Sequence, residues 1–174
     1  MAFGDEMRVG LIGQVRRRWS PRGVKLRQRV QMKRESRYLA LAVDGVQGKL
    51  SWTWIESMKG VDIAPAVMAW RDDGIDAIVW DGARGHHGPD VIKQEMVLIQ
   101  LPPRSPELNP AERVFQEIRR HIEGRIYNTL EQKVRAVETI LARYNSSPEL
   151  VMRLAGWRWI MQVHEQLPRM LVDA

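Results

Sequence analysis

The residues of this sequence best placed to do chemistry are carboxylates held at the ends of stiff segments. Glu112 closes a block at residues 101–113, Leu-Pro-Pro-Arg-Ser-Pro-Glu-Leu-Asn-Pro-Ala-Glu-Arg. Pro102, Pro103 and Pro106 stop a strand and bar a helix, because each fixes φ and lacks an N–H. Asn109-Pro110 then restarts the chain as a helix, with Asn109 as N-cap and Pro110 in the first turn. Leu108, Ala111, Phe115, Ile118 and Ile122 form its apolar stripe. Glu112 lies roughly 90° from the centre of that stripe, at 100° per residue. Alone, Asn109-x-x-Glu112 reads more readily as a capping box than as a reactive group. Two further acids change the weight. Asp81 ends the apolar run Ala77-Ile78-Val79-Trp80, and Asp5 stands near the start, in Phe3-Gly4-Asp5-Glu6.

Charge placement points the same way. The net charge is +6, but residues 8–37 hold eleven Lys or Arg against one acid, Glu35, and the remainder is net negative. Acids that hold a hard cation beside basic residues that hold phosphate are what an enzyme acting on a polyanion needs. The alternative is a solvated basic face or arm. With no cysteine, disulfides and thiolate metal sites are excluded, which fits a cytoplasmic setting. His86 and His87 are adjacent, so they do not read as a zinc pair. No apolar run is long enough to span a membrane, and no basic-then-apolar leader opens the sequence.

Several motifs together carry a resemblance. Phe-x-Asp-Glu at 3–6, Trp19-Ser20-Pro21-Arg22-Gly23, Asp81 with His86 five residues on, and the proline block resemble the catalytic domain of DDE-superfamily transposases. The likeness, to the mariner-like bacterial insertion-sequence branch, covers about residues 2–145. Two positions differ from the family pattern: Gly82 stands where Asn is usual, and Arg104 where Tyr is usual.

The resemblance implies a ribonuclease-H-like α/β fold with a five-stranded mixed sheet flanked by helices, and Asp5, Asp81 and Glu112 as catalytic and metal-holding triad. Three carboxylates in one place repel each other unless a cation binds. Magnesium or manganese, expected as two ions, suits such oxygen ligands. His86 and Asn109 are expected beside the acids as supporting residues. Arg16, Arg17, Arg18, Arg22, Lys25, Arg27, Arg104 and Arg113 are the expected DNA contacts. The implied activity is metal-dependent cleavage and strand transfer on double-stranded DNA, by a bacterial protein that dimerises on DNA. The family's N-terminal helix-turn-helix part would be supplied separately or by frameshift fusion, since Asp5 stands so early. A non-catalytic, DNA-binding transposase remnant is the alternative. A nuclease acting on RNA–DNA hybrids is weaker, because the proline block belongs to transposases.

The elements that must position these acids read as follows. Strands are expected over 3–12, 37–43, 50–55, 76–80 and 96–101, the first three as a meander. Helices are expected over 63–73, capped by Asp62, over 90–95, and from Asn109 to about residue 123. Thr129-x-x-Gln132 caps another helix, with Leu130, Val134, Val137, Leu141 and Tyr144 as its seam. Ser147-Pro148 opens a further helix, and 157–166 forms the last. The reading is a catalytic domain over 1–145 with a helical extension over 146–174 packed on it. Asp44-Gly45 reads as turn chemistry. Trp19 reads as covering its loop against the sheet, with stacking on a base as the alternative.

Overall fold

A computed structural model of the chain describes residues 1–13, 19–25, 27 and 29–172. Five strands form one sheet: β1 (Ala2–Gly10), β2 (Ser36–Asp44), β3 (Lys49–Ile55), β4 (Ala77–Trp80) and β5 (Val97–Gln100), in the order β3-β2-β1-β4-β5. The first three form an antiparallel meander, with Phe3 opposite Val43 and Leu41 opposite Trp52. β4 lies parallel to β1, with Phe3 beside Val79, and β5 continues the parallel half. Two residues beyond Phe3 and Val79 come Asp5 and Asp81.

Alternation along β2 divides the core. Leu39, Leu41 and Val43 face one side, Ala40 and Ala42 the other, and all five are buried. The large residues, with Met7 and Val9, pack against α3 (Ala111–Ile122), α4 (Leu130–Asn145) and α5 (Pro148–Ala155). The alanine face, with Ala2, receives α1 (Gly60–Asp72), whose Ile63, Val67 and Trp70 are fully buried. Small residues on that face let a helix carrying a tryptophan sit close to the sheet. α2 (Pro89–Ile92) and α6 (Arg158–Val172) complete the chain.

Several boundaries move for local reasons. β1 ends at Gly10 rather than residue 12, although Leu11 N–H still donates to the Glu35 carbonyl at 2.8 Å. α1 begins at Gly60, so Asp62 lies in its first turn, where its carboxylate accepts from the Ser57 hydroxyl. α2 is shorter than expected, and α6 runs past residue 166. α3 starts one residue late for an Asn cap: Asn109 is extended, and Pro110 at the cap position already has helical angles. Its stripe also includes Val114, which is buried. Thr129 caps α4 as expected, its hydroxyl accepting from Gln132 N–H at 3.2 Å. Asp44 is a turn residue: its Oδ1 accepts from Val46 and Gln47 N–H, both at 2.9 Å.

Trp19 corrects an expectation. It is fully exposed and does not cover the sheet. The β1–β2 connection is tied at its base, by Leu11 to Glu35 and by Gly13 N–H to the Gln31 carbonyl. Further out the described bonds are local, such as Val24 N–H to Pro21 and Ser20 Oγ to Val24. Among the described residues, nothing draws Trp19 back onto a core face.

Candidate active site

Alternation on β1 sends its two adjacent acids to opposite faces. Asp5 shares the face of Met7 and Val9, under α3, whereas Glu6 shares the face of Gly4, under Trp80 and the loop after β4. Asp81, one residue past β4, falls on the same side as Val79 and Phe3, which pack together. Asp5, Asp81 and Glu112 thus line one cleft of about 480 Å³, with Gly82, Gln100, Asn109 and the proline turn Pro102–Pro106.

Each acid is held. Asp5 Oδ1 accepts from the Glu6 N–H at 2.8 Å, and Oδ2 accepts from Asn109 Nδ2 at 3.2 Å. Asn109 is itself buried; Nδ2 also donates to the Gly4 carbonyl at 2.9 Å, and Oδ1 accepts from Ala111 N–H at 3.0 Å. One side chain therefore ties β1, its acid and the start of α3. Asp81 Oδ1 accepts from Ala83 N–H at 3.0 Å and lies 2.9 Å from His86 Nδ1. Glu112 Oε2 accepts from Arg119 two turns along α3, at 3.4 Å. Glu112 forms no capping box with Asn109, whose N–H already donates to the Pro106 carbonyl at 3.1 Å.

Burial pushes Asp5 up to about 7, with the charges of Glu6, Glu112 and Asp81 adding to the effect against the Glu6 amide that lowers it. A carboxylate so placed is costly to ionise alone and gains from a cation. Among the described residues, no three His, Asp or Glu side chains converge closely enough to hold an ion as they stand. Glu112 is drawn to Arg119 and Asp81 to His86, an arrangement that spreads like charges apart. The donor set still fits a hard divalent ion in kind: it is all carboxylate oxygen, and it lines one cleft.

His86 sits beneath this cleft, and its side chain is 2 % exposed. It stacks on Trp80 with ring centres 3.7 Å apart, and Trp80 meets Trp70 edge-on at 5.4 Å. Nδ1 lies 3.0 Å from the Asp81 carbonyl, and Nε2 lies 3.1 Å from Glu6 Oε2. Burial lowers the His86 pKa, but the hydrogen bond and charge of Glu6, helped by Asp81, more than offset this, and it lies above its ordinary value. The glycines around it serve close packing. A Cβ on Gly85 would fall 2.3 Å from the Met58 carbonyl oxygen, and one on Gly88 3.2 Å from Gly60 Cα. The 3-10 turn Arg84–His87 is therefore pressed onto the start of α1, which carries His86 under the sheet.

Of the expected basic residues, Arg104 lines the cleft in a left-handed conformation, φ 60°. Arg113 is exposed on α3 and lines an adjoining groove with Pro106, Glu107, Gln116 and Trp157. Arg22, Lys25 and Arg27 are exposed on the β1–β2 connection and do not line the cleft. Arg16, Arg17 and Arg18 lie outside the described residues. Two positions were missed. Glu6 was read only as part of a motif, and its side chain is 2 % exposed against His86. Arg119 was not singled out, although its i+7 spacing from Glu112 puts both on one helix face.

A mixed sheet of this order, with helices on both faces and one acid from the end of each of two adjacent parallel strands lining one cleft, is a ribonuclease-H-like fold. The model of the DDE superfamily endonucleases matches residues 1–133, and the chain belongs to that family. Among solved structures it resembles the Mos1 transposase paired-end complex with left transposon end, at 13 % identity and a TM-score of 0.66, over 89 % of this chain and 51 % of that one. It resembles the Mos1 strand transfer complex equally, at 13 % identity and 0.66, over 99 % and 53 %. A Mos1 mariner paired-end complex with Mn gives 13 % and 0.63, over 99 % and 54 %. The chain thus spans about half the length of those transposases. No curated protein sequence matches it.

Proposed function

We propose that this chain is the catalytic domain of a transposase, cutting DNA strands at the ends of a mobile element and joining the freed 3′ ends to a target. The observation that carries the reading is the cleft in which Asp5 and Asp81 come from adjacent parallel strands and Glu112 from the helix after a proline turn.

Asp5, Asp81 and Glu112 would hold divalent magnesium or manganese. Bound there, such ions would supply a lowered pKa for an attacking water or 3′-hydroxyl and charge stabilisation at the scissile phosphate. The chain's own residues do the rest. Asn109 and the Glu6 amide orient Asp5. Ala83 N–H and His86 occupy Asp81 Oδ1, so that Oδ2 would be the oxygen offered to a cation. Arg104, at the cleft wall, is suited to a backbone phosphate, and Arg113 to the next groove along. Arg22, Lys25, Arg27 and the arginines at 16–18 add a sequence-indifferent charge that holds duplex DNA. A part that reads the element's ends, joined or separate, and a second copy on DNA complete the proposed assembly.

The test is nicking of supercoiled plasmid in magnesium or manganese, with Asp81→Ala alongside. Metal-dependent nicking that the variant loses is the expected result. Salt-sensitive DNA binding without nicking in either protein would favour a non-catalytic remnant or a chain that requires its DNA-reading partner.

A further inference from the structure

The Glu6 side chain has no part in the chemistry just described, yet it is only 2 % exposed beside the cleft. Its Oε2 meets His86 Nε2 at 3.1 Å, while its Oε1 is buried with no hydrogen-bond partner among the described residues. A buried pair that leaves one carboxylate oxygen unsatisfied is a poor device for stability, because desolvating the ions costs more than an apolar replacement of the same volume. What the pair does hold is the imidazole. Trp80 fixes the ring's plane by stacking, and the turn pressed on α1 fixes its backbone. Glu6 fixes the remaining freedom, rotation within that plane, by taking Nε2. Nδ1 then faces the Asp81 carbonyl at 3.0 Å and Oδ1 at 2.9 Å.

With Ala83 N–H also on Oδ1, one oxygen of Asp81 is fully engaged, and the other is left for whatever the cleft binds. Asp5 and Glu6 share a peptide unit, and the Glu6 N–H holds Asp5 Oδ1. Glu6 therefore reaches both strand acids, one through its amide and one through an imidazole.

From this juxtaposition we infer that Glu6 is a positioning residue for the metal-holding carboxylates, acting through His86 to set the orientation of Asp81. The inference rests on the metal-dependent reading above. Partners of this kind are worth about 10–100-fold in metal affinity or activity when removed.

The experiment is calorimetric titration of the whole chain with manganese, comparing wild type, Glu6→Leu, Glu6→Gln, His86→Ala and the Glu6→Leu/His86→Ala double variant. Thermal midpoints and duplex-DNA affinity are measured in parallel. Glu6→Leu is expected to weaken manganese binding about 10–100-fold, with DNA affinity unchanged. Glu6→Gln, which keeps an acceptor for Nε2, recovers most of that loss. The double variant binds no more weakly than His86→Ala alone, since Glu6 acts through the ring. The inference is overturned if Glu6→Leu keeps its manganese affinity, or if the two losses multiply in the double variant. Should Glu6→Leu not fold, Glu6→Gln against Glu6→Ala carries the same comparison. A wild-type chain that binds no manganese overturns the metal reading itself, a result distinct from a Glu6 variant that binds as wild type does.

Discussion

Asp5 makes the stability of the cation-free protein depend on pH. Its pKa rises from 3.8 to about 7 on folding, so between those values the folded chain holds a proton that the unfolded chain has lost. Stability then falls as pH rises through that window and is level outside it. Asp5→Asn escapes the penalty. Its thermal midpoint should gain on the wild type as pH goes from about 4 to about 7, with an upper bound of about 4 kcal/mol. Manganese should close the gap at pH 7 by stabilising only the wild type, releasing up to one proton as it binds. A gap that narrows with rising pH would refute the assignment. Arg104 offers a second test at this scale. Its φ of 60° costs a residue with a Cβ roughly 1–2 kcal/mol. Arg104→Gly should raise the thermal midpoint while weakening DNA binding and nicking. A variant that loses stability would show that the arginine's contacts outweigh the strain.

At the scale of elements, the strands and helices that carry the acids were legible because each has a strong local signal. The apolar run before Asp81 and the prolines before Asn109 are readable without any partner. What was not legible came from pairing between distant segments. Glu6 meets His86 only because β1 and β4 lie side by side, and no local pattern marks Glu6 as buried. The cap of α3 moved because Asn109 has a more demanding task than ending a helix: it joins Gly4, Asp5 and Ala111. Asn109→Ala should therefore cost about 1–3 kcal/mol, from buried groups left unpaired. It should also weaken manganese binding. Thermal melts and titration together check this; a loss of stability without a loss of affinity would confine Asn109 to a structural part. Trp19 departs from the expectation because aromatic residues favour cover, and the described bonds that tie its loop to the sheet lie at the loop's base.

Across the whole molecule, α5 and the start of α6 are built into the core. Val151 and Ala155 are fully buried with Leu41 and Phe115, and Ile160 with Phe3. A Cβ on Gly45 would fall 2.4 Å from the Ala155 carbonyl oxygen, and one on Gly48 2.3 Å from that of Pro148. We propose that this segment is part of the catalytic unit rather than an appendage. Gly45→Ala should destabilise the entire domain in one transition, with hydrogen exchange rising in β2 and β3 as well as in α5. Exchange rising in α5 alone would mean that the segment unfolds independently.

β1 is the middle strand of the sheet, paired on both edges, yet the chain passes from it to everything that follows through the β1–β2 connection, where residues 19–25 are exposed. A protease that cut within residues 19–25 would leave Asp5 on one peptide and both Asp81 and Glu112 on the other, held together by two strand ladders and a buried apolar face. The same severance made in the gene would yield two inert halves, each lacking part of the carboxylate set. Mixed together, they would regenerate the cleft only by inserting the missing strand, so DNA nicking could serve as a reporter of their meeting.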